Sequence, residues 1–347
     1  MAPSLFLTGV TGYIGGDFLS LVTEKHPEYE ITAIVRNSDK GAKVAAAYPK
    51  VKLVYGDLDS ADVLEEEASK ADIVYQFANC DHKAGTAALI KGLQRSTKPK
   101  VFYIHTSGTG ILTGETFAQE KFGDELPKQF DDWEKIDEMW NLPDSSLHRP
   151  VDRIVQGSWS EKLQAAIVCP PCIYGEGRGP DNQRSIQAPK AVSAILKTKK
   201  GAKIGNGKNL WHEVHVQDLS DLYLALTEAA VNGGAPATWN EQGYYFAENG
   251  EFVWGDILQA AVDDAHKKGF LPSNELIGRN IDELEEHFFP RAHYYVGTNS
   301  RGVSKRGKKL LGWSPYRPKL VETIPALVDS EARLLGLTQG HAAAVSS

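Results

Sequence analysis

The chain has 347 residues, of which 41% are hydrophobic and 24% are charged. These ordinary proportions exclude a disordered chain, a coiled coil and a collagen-like fibre, and the length suffices for a large core in about two domains. The formal net charge is −7, so the composition offers no basic surface for nucleic acid.

The sequence predicts a protein of a reducing compartment, the cytoplasm, with no membrane segment and no metal site. Three cysteines are too few for a disulfide framework in a chain of this length, and the Cys169-Pro-Pro-Cys172 pair has no second pair to complete a zinc site. No run of about 18 apolar residues is present. Residues Met1–Ser4 lack the basic region of a signal peptide, and His341–Ser347 are expected to be frayed.

Short apolar runs alternate with helical patterns over the first part of the chain. The runs are rich in β-branched and aromatic residues and nearly continuously apolar, which is typical of parallel strands buried on both faces. The predicted strands are Leu5–Thr8, Ile31–Val35, Val51–Tyr55, Ile73–Phe77 and Val101–Ile104, and the predicted helices are Asp17–Lys25, Ala61–Lys70 and Lys83–Leu93. This alternation predicts βαβ units and an α/β fold with a Rossmann-type, doubly wound parallel sheet.

The pattern loosens after the fifth predicted strand. Residues 108–147 have few apolar residues at helical spacing and many turn formers, which predicts a long loop with short helical pieces. A helix is predicted to begin near His148 and to run toward Lys162, followed by a strand at Ala166–Cys169. Sheet-like and irregular segments then alternate, so we expect the C-terminal half to supply a smaller lobe interleaved with the last strands.

A glycine-rich turn follows the first predicted strand. The pattern is G-x-x-G-x-x-G, and glycines there allow backbone N–H groups to approach a pyrophosphate at the N-terminus of the next helix. The position between a strand and a helix is the context that this motif requires. The predicted dinucleotide contacts of this turn are Gly9, Thr11, Gly12, Tyr13, Ile14 and Gly15.

The end of the second strand predicts which nicotinamide cofactor binds. Proteins that bind NAD usually carry an acidic residue there, but this chain has Arg36, with Lys40 four residues later. A guanidinium pairs with a 2′-phosphate, which predicts about a ten- to hundredfold preference for NADP(H) over NAD(H). Asp57 after the third strand is expected near the adenine, and Ala78 and Asn79 after the fourth near the ribose and nicotinamide.

Six motifs along the chain resemble, together, one known family. They are Thr8-Gly9-x-x-Gly12-x-x-Gly15, Gly56-Asp57-Leu58, Thr106-Ser107, Pro171-x-x-Tyr174-Gly175, Val214–Leu219 and Leu310-Leu311-Gly312-Trp313-x-Pro315. The chain resembles the extended short-chain dehydrogenase/reductase superfamily of the NAD-dependent epimerase/dehydratase type, and looks like its fungal aldehyde-reductase-like members. The resemblance covers nearly the whole chain, and its fold hosts several reactions.

This resemblance implies further contacts and a quaternary state. Leu58, Pro171 and Ile173 are expected to contact the cofactor. A small-molecule substrate is implied, and a homodimer is expected through helices near Lys83–Gln94 and Val151–Lys162. We expect an NADP-binding domain at 1–175, joined by elements from about 208–248, and an interleaved substrate-binding lobe at 176–207 and 249–340.

The usual catalytic set of this family is incomplete. The set consists of a serine, a tyrosine and a lysine, of which Ser107 is present, but residues 104–173 contain no tyrosine. Two alignments remain open. Counting back from the sixth strand without gaps puts His148 at the lysine position and Asp144 at the tyrosine position, whereas a helix one turn shorter puts His148 at the tyrosine position and Asp152 at the lysine position.

Both alignments place His148 in the catalytic cleft. The reference pKa of histidine is about 6.5, so it exchanges protons near neutrality without the cationic helper that tyrosine, at about 10, requires. We therefore predict His148 as the proton donor, Ser107 as a hydrogen-bond donor, and Asp152, one helical turn later, as the residue that orients the ring. The alternative is a structural pair at the start of a helix, a position that suits Pro150.

The predicted function is the NADPH-dependent reduction of a carbonyl group in a small organic substrate, for example a secondary metabolite. The predicted substrate contacts are His82, Thr109, Tyr174 and Trp211. Two alternatives remain open: a redox-neutral isomerase, dehydratase or cyclase that uses bound NADP(H), and a non-catalytic regulator that senses NADP(H).

Overall fold

The structure, a computed structural model, describes residues 2–337. Met1 and residues 338–347 lie outside the described residues. The C-terminal segment that was expected to be frayed and the last three residues of the expected lobe therefore have no structural description.

Strands and helices alternate through most of the described chain. The strands are β1 (Ser4–Leu7), β2 (Glu30–Val35), β3 (Lys52–Tyr55), β4 (Ile73–Gln76), β5 (Val101–Thr106), β6 (Phe130–Asp131), β7 (Leu163–Cys169), β8 (Cys172–Tyr174), β9 (Gly201–Ile204), β10 (Leu210–His215), β11 (Tyr244–Phe246), β12 (Glu251–Val253), β13 (Leu276–Arg279) and β14 (Gly302–Val303). The α-helices are α1 (Tyr13–Lys25), α2 (Ser38–Ala47), α3 (Ala61–Lys70), α4 (Lys83–Arg95), α5 (Gly114–Gln119), α6 (Ile136–Trp140), α7 (Arg149–Gln156), α8 (Gln187–Thr198), α9 (Val216–Val231), α10 (Trp254–Lys267), α11 (Ile281–His287), α12 (Ala292–Val296), α13 (Arg306–Leu311) and α14 (Leu320–Leu334).

Seven strands form a parallel sheet in the order β11-β7-β5-β4-β1-β2-β3. The chain winds outward from β1 to β3, crosses back to β4, and then winds outward in the other direction. This arrangement confirms the predicted doubly wound α/β fold. The winding reverses between β1 and β4, and in such sheets ligands bind at the carboxyl ends of the strands at this point.

Burial on both faces explains the continuous apolar runs. All residues of β4 and of β5 are buried. On one face α1 packs Phe18 against Tyr75, with ring centroids 5.0 Å apart. On the other face α3 and α4 bury Leu64 and Leu89 completely. The sheet core therefore fixes the C-terminal ends of β1, β4 and β5 relative to one another.

The chain beyond β7 builds a second core while returning twice to the first. A three-stranded sheet, β12-β10-β8, and a two-stranded sheet, β13-β9, lie beside α8, α10 and α14 around the fully buried Trp254. Strand β11 joins the main sheet, and β14 pairs with β6 from the long loop. The two cores are thus interleaved along the sequence.

The long loop and the helix after it differ in how well the pattern predicted them. Residues 108–147 contain a 3-10 helix at Thr109–Leu112, two short helices and the two-residue strand β6, as expected for a loop with helical pieces. The prediction of a helix as far as Lys162 was wrong: α7 ends at Gln156, before Gly157, because β7 already begins at Leu163. No helix of residues 2–337 is long and apolar enough to cross a bilayer.

Candidate active site

The glycine-rich turn lies at the carboxyl end of β1, directly before α1. Gly9 adopts a φ of +71°, and a Cβ there would lie 2.7 Å from the backbone nitrogen of Ala78. A Cβ on Gly15 would lie 2.5 Å from the carbonyl oxygen of Gly9. Helix α1 begins after Gly12 with no side-chain cap and no acidic residue in its first turn. Its first amides are therefore available to an anion, which fits the pyrophosphate of a dinucleotide.

A cavity of about 570 Å³ adjoins this turn. Its walls come from α1, from the ends of β4 and β5, from the loop before α7, and from the second core. Eight predicted site residues line it: Tyr13, Ile14, Ser107, Thr109, His148, Pro171, Ile173 and Trp211. The nucleotide-binding turn and the expected catalytic residues therefore meet in one space.

The backbone and ring of His148 have an unusual geometry. The residue adopts a φ of +65°, in the left-handed region that residues other than glycine seldom occupy, and it directly precedes α7. Its Nδ1 lies 2.8 Å from Oδ1 of Asp81 and 3.4 Å from Sγ of Cys80, both in the loop after β4. Its Nε2 faces the turn after β5, where a Cβ on Gly108 would lie 3.1 Å away. One ring edge is thus held while the other borders the cavity.

The partners of His148 set its charge. Burial lowers the pKa of His148, but the hydrogen bonds with Asp81 and Cys80 and the nearby charges raise it, to about 10 in balance. The hydrogen bond with His148 in turn holds the pKa of Asp81 below its ordinary value. At neutral pH the ring is therefore an imidazolium paired with a carboxylate, and it can give up a proton.

Asp152 contacts Ser107, so the expectation that it orients the ring of His148 was wrong. Ser107 Oγ donates to Asp152 Oδ2 at 3.1 Å, and Asp152 Oδ1 lies 3.7 Å from Nε2 of His105. Burial raises the pKa of Asp152 to about 7, although the charge of His148 and the bond from Ser107 lower it. Burial also lowers the pKa of His105 to about 3, so this imidazole is neutral. Asp81 takes the orienting position instead.

The structure distinguishes the two alignments that the sequence left open, because Asp144 and Asp152 differ in exposure. Asp144 has a side chain that is 73% exposed and accepts from Arg153 Nε at 2.7 Å. Asp152 is fully buried beside Ser107. The geometry therefore favours the alignment that gives His148 the tyrosine position and Asp152 the lysine position.

The remaining predicted cofactor residues follow the sheet edge from β1 to β4. Arg36 is exposed directly after β2, and Lys40 Nζ lies 2.7 Å from Oδ2 of Asp181. Asp57 accepts from Ser60 Oγ at the start of α3. Gly9, Thr11, Gly12 and Gly15 form the turn, Leu58 follows Asp57, and Ala78 and Asn79 follow β4.

Two predicted substrate contacts lie outside the cavity. His82 caps α4, accepting from the backbone N–H of Gly85 at 3.0 Å. Tyr174 is buried in the second core, where its hydroxyl donates to the carbonyl of Pro318. Both side chains are therefore held by contacts within the fold and not in the cavity wall. Thr109 and Trp211 do line the cavity, and Trp211 Nε1 donates to Thr298.

Several lining residues were not predicted. Asp81 could have been found, because it follows β4 at the sheet edge, next to the predicted contact His82. Phe77, Gly108, Gly110 and Pro170 adjoin predicted residues. The others carry no motif: Leu147 before α7, Asn182, Ser185, Ile186 and Gln187 before and at the start of α8, and Arg291, Tyr294 and Tyr295 near α12.

One group of side chains has the spacing of metal ligands. Ligand atoms of Cys80, Asp81 and His148 lie within 4.8 Å of one another. Within this group, Cys80 Sγ and Asp81 Oδ1 both contact Nδ1 of His148, at 3.4 Å and 2.8 Å. Cys169 and Cys172 are both buried, free thiols.

Comparisons with known proteins identify the family. Residues 9–184 match the NAD(P)H-binding family model, and residues 148–240 match the NAD dependent epimerase/dehydratase family. A protein from Acremonium sp named oxidase ucsJ is 34% identical over 350 aligned positions, which cover 97% of this chain and all of the relative. The chain belongs to the extended short-chain dehydrogenase/reductase family. An uncharacterized Saccharomyces cerevisiae relative is 27% identical over 93% of this chain and 98% of its own.

Solved structures of this family share the fold. A UDP-glucose 4-epimerase from Thermotoga maritima, solved with UDP-glucose, gives a TM-score of 0.65 at 14% identity, with 96% of this chain and 99% of that chain covered. A dTDP-glucose 4,6-dehydratase from Bacillus anthracis, in complex with NAD, gives 0.64 at 15% identity, with 96% and 97% covered. The matched family models and the Acremonium relative support an oxidoreductase-type or related enzyme that binds a nicotinamide nucleotide.

Proposed function

We propose that the protein is an NADPH-dependent reductase that converts the carbonyl group of a small organic substrate into an alcohol. The observation that carries this proposal is the position of the His148 ring, which lies 2.8 Å from Asp81 and borders the same cavity as Ser107. A cationic donor beside a nucleotide-binding turn suits proton transfer to a carbonyl oxygen. The Acremonium relative, named an oxidase, supports redox chemistry.

His148 donates the proton to the carbonyl oxygen of the substrate. The cofactor, when bound, supplies a hydride to the carbonyl carbon. Nε2 of His148 then gives its proton to the carbonyl oxygen, and the carboxylate of Asp81 holds the ring in place through Nδ1. The cavity wall also carries the apolar side chains of Phe77 and Ile173. A pKa of about 10 keeps His148 protonated at neutral pH, which is the state that proton donation to the carbonyl oxygen requires.

Asp152 acts on the substrate through Ser107 and is a positioning residue. When Asp152 is ionised, it accepts the Ser107 hydroxyl proton at 3.1 Å. When Asp152 is protonated, it can donate to Ser107 Oγ instead, which leaves the serine hydroxyl free to donate to the carbonyl oxygen. A pKa of about 7 makes both states accessible near neutrality. The protonated state is the productive one.

The preference for NADPH rests on the residues after β2. Arg36 is exposed there, without an acidic residue to bind ribose hydroxyls at that position. A guanidinium can form a bidentate, charge-assisted pair with a 2′-phosphate. We assign Arg36 as the main phosphate contact, and the second lobe, through Trp211, Gln187 and Tyr294, as the substrate-binding part.

We also propose a homodimer through α4 and α7. The two helices pack side by side on one face of the main sheet, and α4 keeps Ala84, Ala87 and Lys91 exposed. Light scattering behind a sizing column would give about twice the 38.0 kDa of one chain, and a mass of one chain would contradict the proposal.

The decisive experiment combines purified protein and NADPH with a panel of aldehydes and ketones. Nicotinamide absorbance reports oxidation, and nicotinamide fluorescence reports binding. His148→Asn, a residue type that tolerates the left-handed region, should abolish turnover and leave NADPH affinity within about threefold. The matched control is His26→Asn, which alters a surface histidine between Glu28 and Glu228. Full activity of His148→Asn would exclude the assigned role, and product without net NADPH oxidation would favour a redox-neutral reaction.

A further inference from the structure

Residues 175–186 cross the N-terminal end of α1 and are called the strap below. The strap links β8 to α8. Near its start, the hydroxyl of Tyr13 donates to the carbonyl of Gly175 at 2.6 Å. Further along, a Cβ on Gly16 would lie 3.1 Å from Cα of Gly179, so the two backbones are in close contact. The strap therefore lies against the first turn of the helix that is expected to hold the pyrophosphate.

An internal ion pair anchors the strap. Arg178 donates to Asp17 from Nε at 3.0 Å and from Nη2 at 2.7 Å, and its backbone N–H donates to the same carboxylate at 2.8 Å. Asp17 is fully buried in α1 and also accepts from Ser220 Oγ. Bidentate pairs of this kind have defined geometry. The following residues of the strap are thus held near the nucleotide-binding turn.

Asp181 extends from this anchor to α2. Its Oδ2 lies 2.7 Å from Nζ of Lys40, and its Oδ1 lies 2.5 Å from Nζ of Lys43. The Asp181 side chain is only 15% exposed. Hydrogen bonds from the two lysines hold its pKa below the ordinary value, so the carboxylate is ionised at neutral pH. A carboxylate of the protein thus neutralises two cations of the helix that follows β2.

We propose that Asp181 is a cofactor-specificity residue, which competes with the 2′-phosphate of NADP(H) for Lys40 and Lys43. The inference rests on the proposed function, because it requires a dinucleotide with its adenosine ribose at the end of β2 beside Arg36. A phosphate monoester carries more negative charge than a carboxylate and three acceptor oxygens. It therefore displaces Asp181 from the lysines, but the lost ion pairs reduce the affinity that the phosphate gains.

NAD(H) does not compete with Asp181 for the two lysines. It has ribose hydroxyls in place of the phosphate, so its binding leaves both ion pairs of Asp181 intact. Asp181 thus weakens NADP(H) binding and leaves NAD(H) binding unchanged. The protein then discriminates less between the two cofactors than Arg36, Lys40 and Lys43 would allow by themselves.

The test compares the affinities of NADPH and NADH for the full chain by calorimetric titration. In Asp181→Asn, NADPH should bind about three- to tenfold more tightly, the range expected for release of two partly exposed ion pairs, while NADH stays within about twofold. Adenosine 2′,5′-bisphosphate and adenosine 5′-monophosphate, as probes without nicotinamide, should show the same difference. Lys43→Gln should weaken NADPH binding by about three- to tenfold and spare NADH.

Asp39→Asn is the matched control, because it removes one negative charge from the same helix at an exposed position. If NADPH affinity rose equally in Asp39→Asn, the effect would come from the loss of any nearby negative charge and not from Asp181 itself. That result would overturn the inference. A loss of NADH affinity in Asp181→Asn would also overturn it, since Asp181 would then bind ribose hydroxyls. If the wild-type protein binds NADPH and oxidises it but Asp181→Asn changes nothing, only this inference fails. If the wild-type protein binds neither dinucleotide, the proposed function fails as well.

Discussion

Replacing Asp152 by asparagine should extend carbonyl reduction to higher pH. The side-chain amide introduced at this position would donate from Nδ2 to Ser107 Oγ at every pH, as the protonated acid does in the wild type. In the wild type, ionised Asp152 accepts a hydrogen bond from the Ser107 hydroxyl at 3.1 Å, so the hydroxyl hydrogen is turned away from the substrate. The variant should therefore keep the serine hydroxyl free for the substrate where the wild type loses it.

The size of the effect follows from the burial of Asp152. Its pKa rises from an ordinary value of 3.8 to about 7. At about 1.4 kcal/mol per pH unit, burial disfavours the ionised form by roughly 4 kcal/mol. Two pH units above that value, only about 1% of the acid remains protonated. His148, with a pKa of about 10, is still charged there. Wild-type kcat/KM should thus fall about tenfold per unit above pH 7, and Asp152→Asn should stay level to about pH 9.

The raised pKa of Asp152 also makes the stability of the folded protein depend on pH between about 4 and 7. The folded protein holds the proton of Asp152 that the unfolded chain releases near pH 4, so stability from this group is present below pH 4 and is lost as the pH rises through about 7. Wild-type unfolding free energy should lose up to roughly 4 kcal/mol in this window relative to Asp152→Asn. Denaturant unfolding at several pH values measures this difference.

The assay records kcat/KM with NADPH from pH 6 to 10 for the wild type, Asp152→Asn and the control Asp144→Asn. Asp144 forms an exposed ion pair with Arg153, so its substitution should leave the profile unchanged. Parallel profiles for the wild type and Asp152→Asn would refute the link between Asp152 and Ser107. A variant that folds normally but has no activity at any pH would refute it too.

Three further predictions concern the proton donor and the cofactor. Asp81→Asn removes the carboxylate at 2.8 Å and should lower the pKa of His148 by about one to two units, measured by NMR titration of the ring. Gly15→Ala places a methyl group 2.5 Å from a carbonyl oxygen of the turn and should abolish NADPH binding in a fluorescence titration, whereas Gly114→Ala, with nothing within 4 Å, should bind normally. Arg36→Gln should weaken NADPH binding about ten- to hundredfold and leave NADH within about twofold, and equal losses would argue against a phosphate contact.

The main sheet could be predicted because its strands are buried on both faces. Such strands leave continuous apolar runs in the sequence, and helices of matching spacing separate them; α3 begins and ends at the predicted residues, Ala61 and Lys70. The length of α7 was overestimated, because the polar residues after Gln156 fit a helix surface as well as a turn. The second core has no comparable signal, since its short strands are interleaved with irregular segments.

The candidate site was only partly predictable from sequence. His148 could be located because, in both alignments with the family, the residues counted back from β7 place it in the catalytic cleft. Its partner Asp81 is 67 positions away in the chain, and the contact depends on how the loop after β4 turns. The burial of Asp152 is equally invisible in the sequence, since an aspartate one turn into a helix is more often exposed.

In the proposed mechanism, the two replacements in the usual catalytic set depend on each other electrostatically. In that set, a lysine one turn after the tyrosine lowers the pKa of the tyrosine from about 10 toward neutrality. A histidine at the tyrosine position has the opposite need, because an anion must raise its pKa before it carries its proton at neutral pH, and Asp81 supplies that charge. A lysine at position 152 would repel the imidazolium and reverse the effect. Buried Asp152 avoids this repulsion and accepts from Ser107, so in the proposed mechanism the residues at positions 148 and 152 suit each other.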